Sequence, residues 1–157
     1  MIDTVKKLCR RELQKLNIND TKFEIIDIMA RSDEKSIPIK KNFGYVFYKV
    51  LKKATTNNRK FQKYEIKSYN YGKRKAFREY FETKIKNVAF LIFVGGALIT
   101  YKYNRNFHSP IYDLIQVAND NNKKVIFNSV GIEGGYDLSY ESCKMVKEYL
   151  NMPNVIS

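Results

Sequence analysis

Histidine occurs once in this chain and cysteine twice, and neither an HExxH nor a GxxxxGK[ST] stretch is present. A lone His108 cannot build a multi-histidine metal site. Cys9 and Cys143 have neither metal spacing nor a CxxC arrangement. Each falls inside a helical pattern, where a thiol is a small buried hydrophobe. No metal and no cofactor is therefore expected. The longest apolar run falls far short of the roughly 20 residues that cross a bilayer. No charged, then apolar, then small-residue leader opens the chain. The expectation is a soluble, cytoplasmic protein.

Acidic residues are scarce in one place only. Residues 35–86 hold sixteen Lys or Arg against three Asp or Glu, whereas residues 1–34 hold seven of each sign and residues 87–157 six of each. The whole surplus behind the net charge of +13 sits in that one stretch. A localised basic surface calls for an acidic partner: nucleic acid, a phosphorylated substrate or an anionic membrane face. The 157 residues suffice for one domain with a core, and 44% of them are hydrophobic, which sets the chain apart from disordered sequences.

Apolar spacing lays out the elements. Ile2, Val5, Cys9, Leu13 and Leu16 recur every three to four residues, so 2–16 reads as an amphipathic helix. Phe23–Ile28 reads as a strand, and Arg31–Ile39 as a connector carrying Pro38. Residues 35–86 read as a basic, mostly helical excursion. Val46, Phe47, Val50 and Leu51 form one apolar face there, and Phe77, Tyr80, Phe81 and Ile85 another. Thr55–Tyr71 between them shows no clear period. Val88–Val94 is a continuous apolar run, the habit of a parallel strand buried on both faces. Ser109-Pro110 signals a helix start, and Ile111, Leu114, Ile115 and Ala118 supply its stripe until Asn119–Asn122. Val125–Val130 reads as a second buried strand, Leu138–Leu150 as a helix with Asp137 as its cap, and Pro153–Ser157 as the opening of a strand. Alternating strands and helices indicate an α/β fold: a single Rossmann-like domain over 1–157, with an open, mostly parallel sheet and helices on both faces.

In such sheets ligands bind at the carboxyl ends of the strands. Two strand tips here carry glycine, Gly95-Gly96 and Gly131, and both allow close backbone approach. A dinucleotide is disfavoured, because its fingerprint needs G-x-G-x-x-G with the helix starting at once. Here the helix waits until Ser109. The loop between, Thr100–His108, offers amides such as Asn104, the guanidinium of Arg105 and stackable aromatics, which suit sugar hydroxyls and carboxylates. His108 is either a substrate-bonding or acid/base group, or a histidine bonding a backbone carbonyl. Arg105 either clamps a carboxylate or phosphate, or pairs with Glu133 in the facing loop. Lys52–Arg78 interleaves tyrosines with basic residues, as nucleic-acid surfaces do. No helix-turn-helix, RRM or zinc-finger signature accompanies it, so nucleic acid is not the expected partner. A non-catalytic basic module that holds nucleic acid or an acidic protein is the alternative reading.

The stretches FLIFVGGALI, YKYNRNFHSPIYDLI and VIFNSVGIEG together resemble the polysaccharide pyruvyl transferase family. That family has a hydrophobic strand ending in Gly-Gly-small, a variable loop, a helix, and a second strand ending in G-[IV]-x-G. The likeness runs over residues 2–157 and is specific over 88–135. It implies transfer of the enolpyruvyl group of phosphoenolpyruvate, as donor substrate, to sugar hydroxyls of a surface polysaccharide precursor, leaving a ketal-linked pyruvate. It also implies one half of a two-domain, B-type glycosyltransferase-like architecture.

The reaction needs an acid for the enol carbon, a base for the sugar hydroxyl, and cations for the carboxylate and phosphate. The resemblance makes His108 and Glu133 the catalytic candidates, and Gly95, Gly96, Asn104, Arg105 and Gly131 the substrate-binding ones. The acceptor implied is a glycan or lipid-linked sugar. Residues 35–86 would then face acidic substrate or the inner membrane leaflet. The family's Asn-x-Gly-Asp loop before the first helix has no counterpart here, and neither has its second Rossmann half. A truncated chain is expected, inactive alone: a fragment, a split-gene product with its second half on a separate chain, or a degraded copy.

Overall fold

A computed structural model describes residues 2–15, 17, 19, 22–26, 37–55, 60–94, 99–100, 108–128, 130–133 and 141–156. Helix α1 (Ile2–Lys15) opens the chain, as its spacing predicts. Residues 23–26, the described part of the expected strand Phe23–Ile28, pair with no ladder. Arg10 lies over the Phe23 ring, Glu24 pairs with Lys84 at 3.2 Å, and Ile26 packs against the core. Residues 27 and 28 lie outside the described residues.

Three helices follow: α2 (Phe43–Ala54), α3 (Lys60–Gly72) and α4 (Arg74–Ile85). The middle one occupies the stretch that showed no period, and its structure explains why. Its inward positions are Phe61, Gln62, Ser68, Tyr69 and Gly72, of mixed polarity and size, so hydrophobicity alone carries no 3.6-residue rhythm. Asn42 caps α2 by accepting from the Tyr45 amide at 2.8 Å, and its own amide group donates to the Tyr71 carbonyl at 2.9 Å. Glycine lets α2 and α3 approach closely. The Tyr71 ring lies where a Cβ on Gly44 would be, and the Tyr45 ring where a Cβ on Gly72 would be.

Strand β1 (Phe90–Val94) leads to a short strand β2 (Ile99–Thr100), helix α5 (His108–Asp120), β3 (Lys124–Asn128), a short β4 (Ile132–Glu133), α6 (Glu141–Leu150) and β5 (Val155–Ile156). The main sheet has order β1-β3-β5 and is parallel throughout, with Phe90 opposite Lys124 and Val125 opposite Val155. Strand β5 matches the expected opening at Pro153–Ser157. Strand β1 is shorter than the apolar run and alternates: Leu91 and Phe93 are buried, while Phe90, Ile92 and Val94 are half-covered.

The reason is a one-sided layer. Both crossovers run the same way along the strand order, so right-handed connections put α5 and α6 on the same face. Those two helices pack on each other, and α4 packs on α5. Helices on both faces were expected; among the described residues, no other helix packs extensively on the sheet.

The core gathers Phe77, Phe81 and Ile85 of α4, Leu91 and Phe93 of β1, Ile111, Leu114, Ile115 and Ala118 of α5, and Cys143, Val146 and Tyr149 of α6. Each large side chain fully buried there contributes about 1.5–3 kcal/mol. Cys143 is buried as expected, and Cys9 only partly. Helix α5 ends where predicted. Asn122 adopts φ 53° and the Lys123 amide donates to the Ala118 carbonyl at 2.8 Å, a left-handed cap that asparagine tolerates. The start of α5 differs: His108 is its first residue, and Ser109 and Pro110 lie within its first turn. Proline fits there because the first four amides of a helix have no intrahelical acceptor.

Candidate functional site

Adjacent parallel strands end together at Val94 and Asn128. Beyond these ends the chain segments pair a second time, Ile99 opposite Ile132 and Thr100 opposite Glu133. Gly131 lies between β3 and β4, at the carboxyl edge of the sheet. Gly131 is exposed there. Glu133 takes its place by backbone pairing with Thr100. Gly95, Gly96, Asn104 and Arg105 lie outside the described residues, as does the Asp137 cap.

His108 heads α5 and is fully buried. Its Nδ1 lies 3.5 Å from the Tyr149 hydroxyl, and the two rings stack with centroids 6.4 Å apart. Tyr149 stacks in turn on Phe127 at 6.0 Å, and Phe127 on Phe93 at 4.8 Å. A column of rings thus runs from the carboxyl half of β1 to the head of α5. The side chain expected on a loop faces the interior, because the helix begins at His108, two residues before the Pro110 start its hydroxyl cap signal suggested.

A second cluster escaped the sequence reading. Asp113 sits among the apolar positions of α5 with its side chain almost wholly enclosed. The Tyr69 hydroxyl donates to Oδ2 at 3.0 Å, and the Arg74 Nε donates to Oδ1 at 3.0 Å. Arg78 donates to Gln116 at 2.6 Å and to Asp120 at 3.2 Å. Burial pushes the Asp113 carboxyl up from its ordinary value, with the Arg74 guanidinium pulling the other way. Burial, then the neighbouring Asp113 charge, pushes the Tyr69 phenol up as well. Nearby, Tyr112 donates to Glu148; burial and that bond push its phenol up to about 12. A cavity of about 210 Å³ opens among Tyr69, Asn70, Arg74, Tyr112, Asp113 and Glu141. The available signal was positional. Arg74 and Arg78 are four apart on one helix, and Asp113, Gln116 and Asp120 are three and four apart on the next.

The same pairing redraws the basic segment. Arg74 and Arg78 are turned toward α5, Lys52 pairs with Glu65 at 2.8 Å, and Lys84 pairs with Glu24. Part of the charge surplus is thus engaged internally. Among the described residues no group of three or more His, Cys, Asp or Glu could hold a metal ion. No described helix is long and apolar enough to cross a membrane. A family model described as polysaccharide pyruvyl transferase matches residues 8–157. No curated protein and no solved structure matches the chain.

Proposed function

Because the chain belongs to the polysaccharide pyruvyl transferase family, and is a transferase by that membership, we propose that the paired strand tips form the acceptor wall of its active cleft. The observation that carries this reading is the renewed parallel pairing of β2 with β4 directly beyond β1 and β3. It supports the reading because Gly131, between β3 and β4, lies at the edge where parallel sheets take ligands. Gly95, Gly96, Asn104 and Arg105 would complete that rim, with amides and a guanidinium suited to sugar hydroxyls and carboxylates.

In the proposed reaction the donor is phosphoenolpyruvate and the acceptor a glycan hydroxyl, carried on a lipid-linked precursor. A proton is delivered to the enol carbon, the sugar oxygen bonds to the adjacent carbon, and phosphate departs; a second hydroxyl closes the ketal. Glu133 and His108 are the proposed acid/base groups. The burial of His108 makes Glu133→Gln the cleaner variant, since a change at His108 also disturbs packing. No Lys or Arg occurs among the described residues of this edge, 94, 99–100, 128 and 130–133. We place the cations for the donor on a second domain.

The test is phosphate release and ketal formation from phosphoenolpyruvate and a glycan acceptor. The 157-residue chain alone should yield no ketal, yet should show saturable binding of the acceptor sugar that Gly96→Val abolishes. Ketal made by the isolated chain would refute the second-domain assignment. Acceptor binding indifferent to Gly96→Val would refute the wall.

A further inference from the structure

Helix α2 presents an apolar stripe to solvent. Phe43, Val46, Phe47 and Val50 are 86%, 49%, 46% and 61% exposed. Their spacing of i, i+3, i+4 and i+7 aligns them along one side of the helix. The opposite side is occupied: Tyr45 is buried against Gly72, Tyr48 stacks on Tyr64 and Tyr71, and Lys52 pairs with Glu65. The stripe is therefore outward by construction of the α2–α3 pair. A solvent-facing Phe with 86% of its surface exposed, stacked on a second exposed Phe at 6.0 Å, is a persistent apolar patch and not a scattered residue.

Charge identifies the occupant. Residues 37–55 contain five lysines, Lys40, Lys41, Lys49, Lys52 and Lys53, and no acidic residue. Lys40, Lys41 and Lys49 are exposed beside the stripe. Two copies of this chain meeting stripe to stripe would bring these lysines together and repel. An anionic lipid surface meets both demands, accepting the rings between its acyl chains and the ammonium groups among its headgroups. The helix is 12 residues long, so it would lie in the plane of the surface and not cross it.

We propose that α2 is an in-plane docking helix for anionic membrane surfaces, with Phe43, Val46, Phe47 and Val50 inserted and the flanking lysines on the headgroups. Docking of this kind is independent of the transferase reading, because it requires neither donor nor acceptor.

The experiment is co-sedimentation of the full chain with vesicles of phosphatidylcholine alone and of equal parts phosphatidylcholine and phosphatidylglycerol. Binding is expected to the anionic vesicles only. Phe43→Ser/Phe47→Ser, at exposed positions that leave the fold intact, should weaken it at least tenfold. Each of Lys40→Gln and Lys41→Gln should weaken it about fivefold. The chain contains no tryptophan, so Phe43→Trp installs a single reporter whose emission should shift to the blue on anionic vesicles. Three results would overturn the proposal. One is absence of vesicle binding. Another is binding that survives Phe43→Ser/Phe47→Ser, which would be unspecific charge attraction. The third is a wild-type dimer that the same double variant renders monomeric, which would make the stripe a protein interface.

Discussion

Replacing Gly72 with alanine tests the close approach of α2 and α3. The added Cβ would stand 2.2 Å from Tyr45 Cδ2 and 2.7 Å from its Cγ. Carbon atoms rest at about 3.5–4.0 Å, so the ring or the helix must retreat by more than ~1 Å. Tyr45 is buried and α2 is capped onto the end of α3 by Asn42, so neither moves freely. Overpacking of this kind costs about 1–3 kcal/mol. The helix gains at most ~1 kcal/mol from losing a glycine, and less at its last position. The net expectation is destabilisation by about 1–2 kcal/mol, a fall in Tm of about 2–8 °C for a domain of this size.

Gly44 supplies the internal control. Its Cβ would meet the Tyr71 ring at 2.6 Å, but that ring is 52% exposed and can swing into water. Gly44→Ala should stay within about 0.5 kcal/mol of wild type. Urea unfolding of both variants and of the double variant Gly72→Ala/Tyr45→Leu measures this. The smaller side chain should recover part of the loss, as coupled neighbours do. Equal stabilities for the two alanine variants, or a costlier Gly44→Ala, would refute the reasoning.

Asp113→Ala leaves the buried Tyr69 hydroxyl without its acceptor and Arg74 without its counter-charge; urea unfolding should show a loss of about 2–4 kcal/mol. Burial raises the Asp113 carboxyl, so its linked stability is full at acid pH and declines as pH rises through the folded value. Asp113→Asn, which cannot ionise, should remove that decline when stability is followed between about pH 3 and 7. The Tyr112 phenol, raised from 10.0 to about 12, favours the folded state below the lower value and loses that advantage as pH climbs through the higher one. Tyr112→Phe should flatten the alkaline loss of stability in that window, and tyrosinate absorbance should lose its late-titrating step. Phe81→Ala empties the centre of the core and should cost about 3–5 kcal/mol by the same unfolding measurement.

Periodicity and punctuation made the β1–α5–β3 unit readable. The apolar run before Gly95, the stripe Ile111–Ala118 and the Asn119–Asn122 stop all correspond to observed elements. Helix α3 was opaque because Gln62 and Ser68 face inward and find polar partners there, so its buried side is not its apolar side. Helix α2 differs in the opposite sense: a helical apolar face normally marks the core, and here Val46, Phe47 and Val50 point to solvent. The parallel pairing of β1 with β3, and the place of Gly131 at its carboxyl edge, followed from consecutive parallel strands. The Asp113 cluster did not, because an acid within a helical stripe reveals its partners only once α4 is docked beside it.

The Gln62–Ser142 bridge joins positions 80 residues apart, the Gln62 amide donating to the Ser142 hydroxyl at 2.8 Å and its carbonyl accepting from the Ser142 backbone at 3.1 Å. That backbone amide belongs to the first turn of α6, where helices lack internal acceptors. The head of α6 thus waits for α3, and closing so long a loop is a late event on the folding route. Amide exchange at Ser142 should then report the docking of α3, not the winding of α6. Any opening that lifts α3 away would unlatch α6 with it, making the basic helices and the last crossover of the sheet one cooperative unit.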